Sequence, residues 1–254
     1  MTTLLIDADI VAYKAATLNQ EEYDFGSGDC VVLDENKAQR DVDEIIGIYC
    51  DDLFANDVII CLTDPKVNFR KQLDPTYKSN RANVEAPKLL KPIKDYLAKA
   101  YKSYIRPRLE ADDVMGILST HPTLIDGDTI IVSEDKDMRT IPAKVYHPNR
   151  PENGVMDISL EDADRFHMWQ VICGDSTDGY PGCKGVGKTS VYAEEVISAD
   201  REDLWDIVLE AYASKGKSED DAILQARHAR ILRSCDYNFT KKKIRLWTPL
   251  CLLH

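Results

Sequence analysis

The chain has 254 residues, 44% of them hydrophobic, and 32 basic against 44 acidic side chains give a net charge of −12. This length suits one large domain or a domain with a helical extension, and no apolar run approaches the roughly 18 residues of a membrane span. Met1 to Leu4 lacks the basic-then-apolar pattern of a signal peptide, and the seven cysteines form no C-x-x-C pair, which speaks against zinc and a disulfide framework and for a reducing cytoplasm.

Thr3 to Ile6 is a short apolar run that ends in Asp7-Ala8-Asp9, and Ile10 to Ala16 has helical character. Glu21 to Asp29, polar and carrying Gly26 and Gly28, is a predicted loop. Val42, Ile45, Ile46, Tyr49 and Leu53 have helical spacing within Lys37 to Phe54. Asp57 to Leu62 is a predicted buried strand, stopped by Thr63-Asp64-Pro65. Asn68 to Arg81 is irregular and basic, and Pro87 to Lys102 is an amphipathic helix with Leu90, Ile93, Leu97 and Tyr101 on one side. Next in order are a strand over Ser103 to Arg106, a helix over Ala111 to Thr120 and strands over Asp128 to Val132 and Lys144 to His147. Helices are expected over Leu160 to Cys173, Lys188 to Ser198, Asp203 to Ala213 and Ser218 to Arg233, and Tyr237 to Trp247 as paired strands. Alternating strands and helices predict an open, mostly parallel α/β sheet with helices on both faces, continued by a helical region packed on it. The expected division is an α/β core over residues 1–158 and a helical region over 159–254.

Charge is uneven. Between Lys66 and Arg108 stand 12 basic residues and three acids, a local +9, which leaves −21 elsewhere. A basic segment on an acidic protein points to an anionic substrate meeting one face. In an open parallel sheet, ligands bind beyond the carboxyl ends of the strands. Three predicted strands end there in acids: Asp7 and Asp9, then Asp64, then Asp135 and Asp137. Glu110, Asp112 and Asp113 open a helix at the same edge, and Asp175 and Asp178 lie in Gly174-Asp175-Ser176-Thr177-Asp178-Gly179. So many carboxylates in one cleft repel one another unless cations sit among them. Oxygen ligands in this number suit hard ions, Mg²⁺ or Mn²⁺, and two ions rather than one.

Two other motifs compete. Gly182 to Thr189 matches G-x-x-x-x-G-K-[ST], but a P-loop needs a preceding buried strand and Asp178-Gly179-Tyr180-Pro181 is a turn. No nucleotide cofactor is therefore expected. Gly185-Val186-Gly187-Lys188 reads better as a hairpin between helices whose N–H groups hold a DNA phosphate. Asp7-Ala8-Asp9-Ile10-Val11 also fits the start of haloacid-dehalogenase-like phosphatases, with Asp7 as nucleophile and Asp9 as acid/base; that reading leaves Glu110, Asp112, Asp113 and the glycine hairpin without a role. A non-catalytic DNA-binding module, solubilised by its acids, is the remaining alternative.

The segments L-I-D-A-D, L-T-D-P-K-V-N-F-R-K with D-P-T-Y-K-S-N-R, L-E-A-D-D-V-M-G, S-E-D-K-D-M-R-T-I-P, G-D-S-T-D-G-Y-P-G and A-R-I-L-R-S-C-D-Y-N-F run in order through nearly the whole chain. With them the sequence resembles the 5′-nuclease superfamily of flap endonucleases and polymerase-associated 5′-exonucleases. Within it, the chain is most similar to the stand-alone 5′-to-3′ exonucleases of short-tailed lytic bacteriophages. The resemblance implies that Asp7, Asp64, Glu110, Asp112 and Asp113 gather a first Mg²⁺, and Asp135, Asp137, Asp175 and Asp178 a second, with Mn²⁺ able to substitute. Asp9 has no firm counterpart. Lys78 and Arg81 would contact the scissile phosphate at the foot of a helical arch formed by about residues 66–102. Arg70 would belong to the same DNA-binding surface, and Tyr77 would stack on a terminal base. Gly185, Val186, Gly187 and Lys188 would lie in a helix–hairpin–helix-type element that grips duplex DNA, sometimes with K⁺. The implied activity is 5′-to-3′ exodeoxyribonuclease action on double-stranded DNA with 5′ ends or flaps, and on RNA–DNA hybrid, in the cytoplasm of a phage's bacterial host, with no membrane partner.

Overall fold

Short apolar runs bounded by turns build the centre of the molecule. The computed structural model describes residues 1–24, 29–81 and 84–252. β1 (Thr2–Asp7) leads into α1 (Ala8–Leu18), an antiparallel hairpin of β2 (Gln20–Asp24) and β3 (Asp29–Leu33), α2 (Glu35–Asp52), β4 (Asp57–Leu62) and a short α3 (Phe69–Leu73). Next come α4 (Leu90–Ala100), β5 (Ser103–Ile105), α5 (Ala111–Ser119), β6 (Asp128–Val132), β7 (Lys144–Tyr146) and β8 (Val155–Asp157). The last part holds α6 (Leu160–Cys173), α7 (Val191–Val196), α8 (Leu204–Ala213), α9 (Glu219–Ala229) and the two-residue strands β9 (Tyr237–Asn238) and β10 (Lys243–Ile244). Among the described residues no helix is long and apolar enough to cross a membrane.

The main sheet has the order β5-β4-β1-β6-β7-β8 and is parallel except for β8, which runs antiparallel to β7. Leu5 on the central strand lies opposite Ile59 and Ile131. Both faces of β1 are buried, as the unbroken apolar run requires. Leu4 and Ile6 pack with α1, α2 and α4 on one face, while Leu5, Ile59 and Ile131 pack with α5 on the other. The chain lays β4 and β5 to one side of β1 and β6 and β7 to the other. This reversal opens a crevice beyond Asp7 and the end of β6, where such sheets bind ligands.

Several expectations change. The segment expected as a loop after Glu21 pairs as β2 and β3 instead, and Gly26 and Gly28 lie outside the described residues. β8 has no counterpart among the predicted strands, because V-M-D is too short to show a period. The last predicted helix stops at Ala229, and residues 230–233 run extended with Ile231 and Leu232 buried against α5. The carboxyl-terminal part is thus not only helical: after α9 it returns to the core. The stretch from 66 to 102 does not form one arch. α4 buries Ile93 and Leu97 completely against α1, α2 and the sheet, so its apolar stripe is core, while the segment around α3 and Ser79–Arg81 stands over the acids and Lys94 of α4 reaches Asp9. The glycine stretch Gly185–Lys188 does not join two helices directly, since α6 ends at Cys173 and α7 begins at Val191.

Gly116 on α5 marks how closely the returning segment docks. A Cβ there would stand 2.4 Å from the Leu232 carbonyl oxygen and 3.0 Å from Ile231 Cγ2. Gly116→Ala should therefore destabilise the protein by roughly 1–3 kcal/mol through overpacking, in spite of alanine's better helix propensity. Urea denaturation measures this; an unchanged or raised midpoint would show that residues 231–232 do not press on the helix.

Candidate active site at the carboxyl edge of the sheet

Asp7 ends β1 and caps α1, accepting the Ile10 N–H at 3.4 Å and the Ser133 hydroxyl at 2.8 Å. Glu110 caps α5 in a capping box with Asp113, which turns Asp112 into the crevice. Asp135 caps the turn after β6 by accepting the Asp137 N–H at 2.8 Å. A cavity of about 410 Å³ is lined by Asp7, Asp9, Glu110, Asp112 and Asp135 together with Lys78 and Arg81. A second, of about 360 Å³, shares Asp135 and adds Glu134, Lys136, Asp137, Asp175 and Asp178. Seven of the nine acids expected from the sequence thus line these two cavities; Asp64 and Asp113 line neither.

The acids divide by what balances them. Burial would raise Glu110, but the ammonium of Lys78 at 2.6 Å and the guanidinium of Arg70 at 2.9 Å outweigh it and hold the carboxyl at about 2. Asp178 receives Arg81 Nη2 at 2.8 Å and Lys78 Nζ at 3.4 Å. Asp175 is held below the usual carboxylate range, because Lys136 and two backbone N–H groups overcome its burial. Asp7, Asp112 and Asp137 behave in the opposite way. Burial and then the neighbouring Asp9 push Asp7 up to about 7. Burial and then Asp7 and Asp135 push Asp112 well up. Burial and then Asp135 push Asp137 up to about 6, against the pull of Lys136. These three acids face other acids with too little positive charge among them, which is the environment a hard divalent cation relieves. Among the described residues no three acids stand in ligand geometry around one point. The ammonium groups of Lys78 and Lys136 stand between pairs of them instead, so holding ions requires carboxylates to turn from amines toward the cavity.

Four expected site residues are placed differently. Asp113 is fully buried and turned away from the cavity: its oxygens take Arg70 Nη1 and Nη2 at 2.8 Å each, and the N–H groups of Glu110 and Leu232. Arg70 is equally buried, with its remaining donors on Glu110 and the carbonyls of His228 and Arg230, so it offers nothing to DNA. Asp64 lines neither cavity. It forms a local turn, accepting its own loop's Lys66 N–H at 3.0 Å, and takes the Arg108 N–H at 2.7 Å. That second bond supports Arg108 in the left-handed region at φ 72°. Tyr77 is 2% exposed, packs beside His228 and hydrogen-bonds through its hydroxyl with Glu110 and Asp178, so its ring faces no terminal base.

Lys78 and Arg81 line the first cavity beside its acids, as expected. Lys78 sits at φ 54° with its N–H on the Asp178 carbonyl at 2.8 Å, and its side chain is 15% exposed. Carboxylates outweigh its burial and keep its ammonium firmly charged. Arg81 is 49% exposed at the mouth. The structure adds Lys136, Ser133 and two lysine pairs that sequence reasoning missed: Lys94 on Asp9 at 2.9 Å, and Lys14 on Glu134. The signal for Lys136 is present in E-D-K-D, a lysine between two site acids. Nothing local marks Lys14 or Lys94, which reach the crevice from separate helices. Gly185 has φ 91°, Val186 is buried and Lys188 Nζ lies 5.6 Å from the Trp169 ring centre. The N–H of Gly182 is taken by Gln225 at 2.9 Å, and no strand precedes it, so this is no P-loop.

Residues 2–157 match a sequence model of the family described as 5′-3′ exonuclease, N-terminal resolvase-like domain. The exonuclease of Escherichia phage T7 is 36% identical over 223 residues, 76% of this chain and 74% of that protein. The exodeoxyribonuclease of Enterobacteria phage T3 is 33% identical over 76% of this chain and 73% of its own length. A flap endonuclease of Shewanella is 30% identical over 54% of this chain and 55% of its length. The fold is similar to that of the zinc-bound 5′-exonuclease of phage T5, with a TM-score of 0.63 and 18% identity over 90% of this chain and 89% of that one. A complex of the T5 flap endonuclease with DNA and metal ions superposes with a TM-score of 0.60 at 17% identity over 91% and 89%.

Two outcomes test the electrostatics. Without divalent ions, Asp7 holds its proton in the folded state up to about pH 7 and in the unfolded chain only to about pH 4. Its stabilising contribution is complete below pH 4 and is lost as pH rises through 7. Asp7→Asn in EDTA should match the parent near pH 4 and exceed it by about 1–3 kcal/mol at pH 8; a gap independent of pH would sink this account. Arg70→Lys should lose about 3–5 kcal/mol, since one ammonium cannot replace the fork that pairs Asp113. Denaturant titration reads both.

Proposed function

The chain belongs to the 5′-3′ exonuclease family of phage and bacterial 5′ nucleases, and from that premise we propose that it removes nucleotides from the 5′ ends of duplex DNA at the crevice beyond β1 and β6. The observation that carries this reading is one cavity in which Asp7, Asp112 and Asp135 face Lys78 and Arg81. Acids alone would repel a phosphodiester, and basic groups alone would only bind it. Both together suit hydrolysis assisted by ions.

Two cavities that share Asp135 favour two ions, Mg²⁺ or Mn²⁺, with Asp7, Asp9, Asp112 and Asp135 available to one and Asp135, Asp137, Asp175 and Asp178 to the other. Bound there, they would lower the pKa of an attacking water and offset charge on the leaving 3′ oxygen. The chain's own groups do the rest. Arg81 at the mouth offers a planar fork to the incoming phosphate. Lys78 moves its charge from Glu110 and Asp178 toward the phosphate oxygens, where negative charge grows in the transition state. Its left-handed backbone, tied to the Asp178 carbonyl, fixes where the ammonium starts. Glu110 stays ionised and keeps Lys78 charged. The same chemistry extends the proposal to flaps and to RNA 5′ ends in hybrid duplex, with primer removal in phage replication as the fitting role. Duplex behind the cleaved end would lie against Gly185 to Lys188, with or without K⁺.

Family membership sets aside the phosphatase and the non-catalytic module.

Duplex DNA labelled at one end or the other, with Mg²⁺ and then with EDTA, tests the polarity and the ion requirement. Nucleotides should leave from the 5′ end and with Mg²⁺ alone; release from the 3′ end, or release of phosphate only, would refute the proposal. Asp135→Asn should abolish cleavage while DNA binding stays within about threefold, the size expected when substrate contacts are untouched. Lys78→Ala should lower kcat by about 10²–10³ with KM nearly unchanged; an unaltered kcat removes Lys78 from the reaction.

A further inference from the structure

A cavity of about 570 Å³ lies away from the acids, among the end of α5, the start of α6 and the chain after α9. α5 begins in the acid crevice and runs away from it, and α6 ends beside Asp175. At 1.5 Å per residue their far ends stand about 13–20 Å from the catalytic edge. Four arginines line this cavity, Arg201, Arg230, Arg233 and Arg245. Two buried acids answer them. Asp164 takes Arg201 Nε at 2.6 Å and Arg233 Nη2 at 2.8 Å, and Asp236 takes Arg230 Nε at 2.8 Å. Among the described residues the exposed Arg245 side chain reaches the Cys235 carbonyl at 3.4 Å and no acid. The Nε of Arg233 is buried and has no hydrogen-bond acceptor among them. Four cations against two anions, with one buried donor unpaired, is an arrangement short of negative charge. Leu246 and Leu250 add an apolar wall.

We propose that this cavity is a binding site for a small phosphate monoester carrying an apolar ring, of the nucleoside 5′-monophosphate class. A phosphate dianion supplies the two charges that Asp164 and Asp236 leave unmatched, and guanidinium forks match its oxygens. The leucine wall takes the base, and the volume falls within the range of small-ligand sites. The choice of nucleotide rests on the nuclease reading, because that reaction releases this class of molecule. The site itself does not.

Isothermal titration of the full chain in EDTA tests the proposal without recourse to nuclease activity, so failure of either reading is seen separately. The probes are thymidine 5′-monophosphate, inorganic phosphate and thymidine. The monophosphate should bind and thymidine should not. Arg245→Glu should weaken that binding by about tenfold or more, equal to about 1.4 kcal/mol, with Mg²⁺-dependent hydrolysis and thermal midpoint unchanged, and Arg245→Lys should fall between. Absence of binding, or binding that Arg245→Glu leaves intact, overturns the site. Inorganic phosphate binding as tightly as the monophosphate overturns the nucleotide assignment. Loss of binding in Lys78→Ala but not in Arg245→Glu places the ligand in the acid crevice and overturns the proposal too.

Discussion

The guanidinium of Arg70 is the constraint on which the site depends. Buried charge is costly unless every donor finds an acceptor, and here Nε, Nη1 and Nη2 are shared among Asp113, Glu110 and the carbonyls of His228 and Arg230. Those partners come from the start of α5, from the end of α9 and from the extended residues just past it, while Arg70 itself comes from α3. Three stretches distant in sequence are thereby fixed at one point. Glu110 is oriented by this clamp and in turn receives Lys78, so a group buried away from the cavity settles where the ammonium that lines it rests.

From that point the charges sort themselves. Acids that have a protein cation, Glu110 and Asp175, are held low. Acids that have mostly other acids, Asp7, Asp112 and Asp137, are pushed up. The first set anchors lysines; the second set is short of positive charge and is where external cations gain most. A site composed only of the second kind would carry a large folding cost, and one composed only of the first would already be neutralised. The crevice combines them, which also explains a basic segment beside the acids on a chain of net charge −12.

Much of this is legible in the sequence because the signals are local. Continuous apolar runs mark β1, β4 and β6, and an acid just past such a run must sit at the carboxyl edge. What local pattern does not show is which way a side chain turns. Asp112 and Asp113 are neighbours on one helix, about 100° apart around its axis. One enters the crevice, and the other meets an arginine 43 residues earlier. Asp64 satisfies its own loop, a competitor that Thr-Asp-Pro can suggest. Arg70 and Tyr77, substrate contacts on the evidence of a basic stretch and a family resemblance, are core residues because their partners lie 158 and 101 positions away. The amphipathic pattern of α4 correctly marks a helix and wrongly suggests part of an arch, since periodicity identifies an apolar stripe without saying what covers it.

The extended stretch 230–233 connects these conclusions. A segment of this kind presents backbone and side chains in different directions, and both are used. Its Arg230 carbonyl and Leu232 N–H hold Arg70 and Asp113 on the catalytic side, while the Arg230 and Arg233 side chains line the cavity at the far end of α5. Had α9 continued through these residues, as its sequence period suggests, those backbone groups would have been consumed by the helix and the clamp left unsatisfied. The helix ends at Ala229 because a buried guanidinium and a buried carboxylate compete more strongly for the carbonyl and N–H beyond it. The carboxyl-terminal part is therefore a component of the acid site, and the boundary near residue 158 separates two stretches of sequence that share a single buried network.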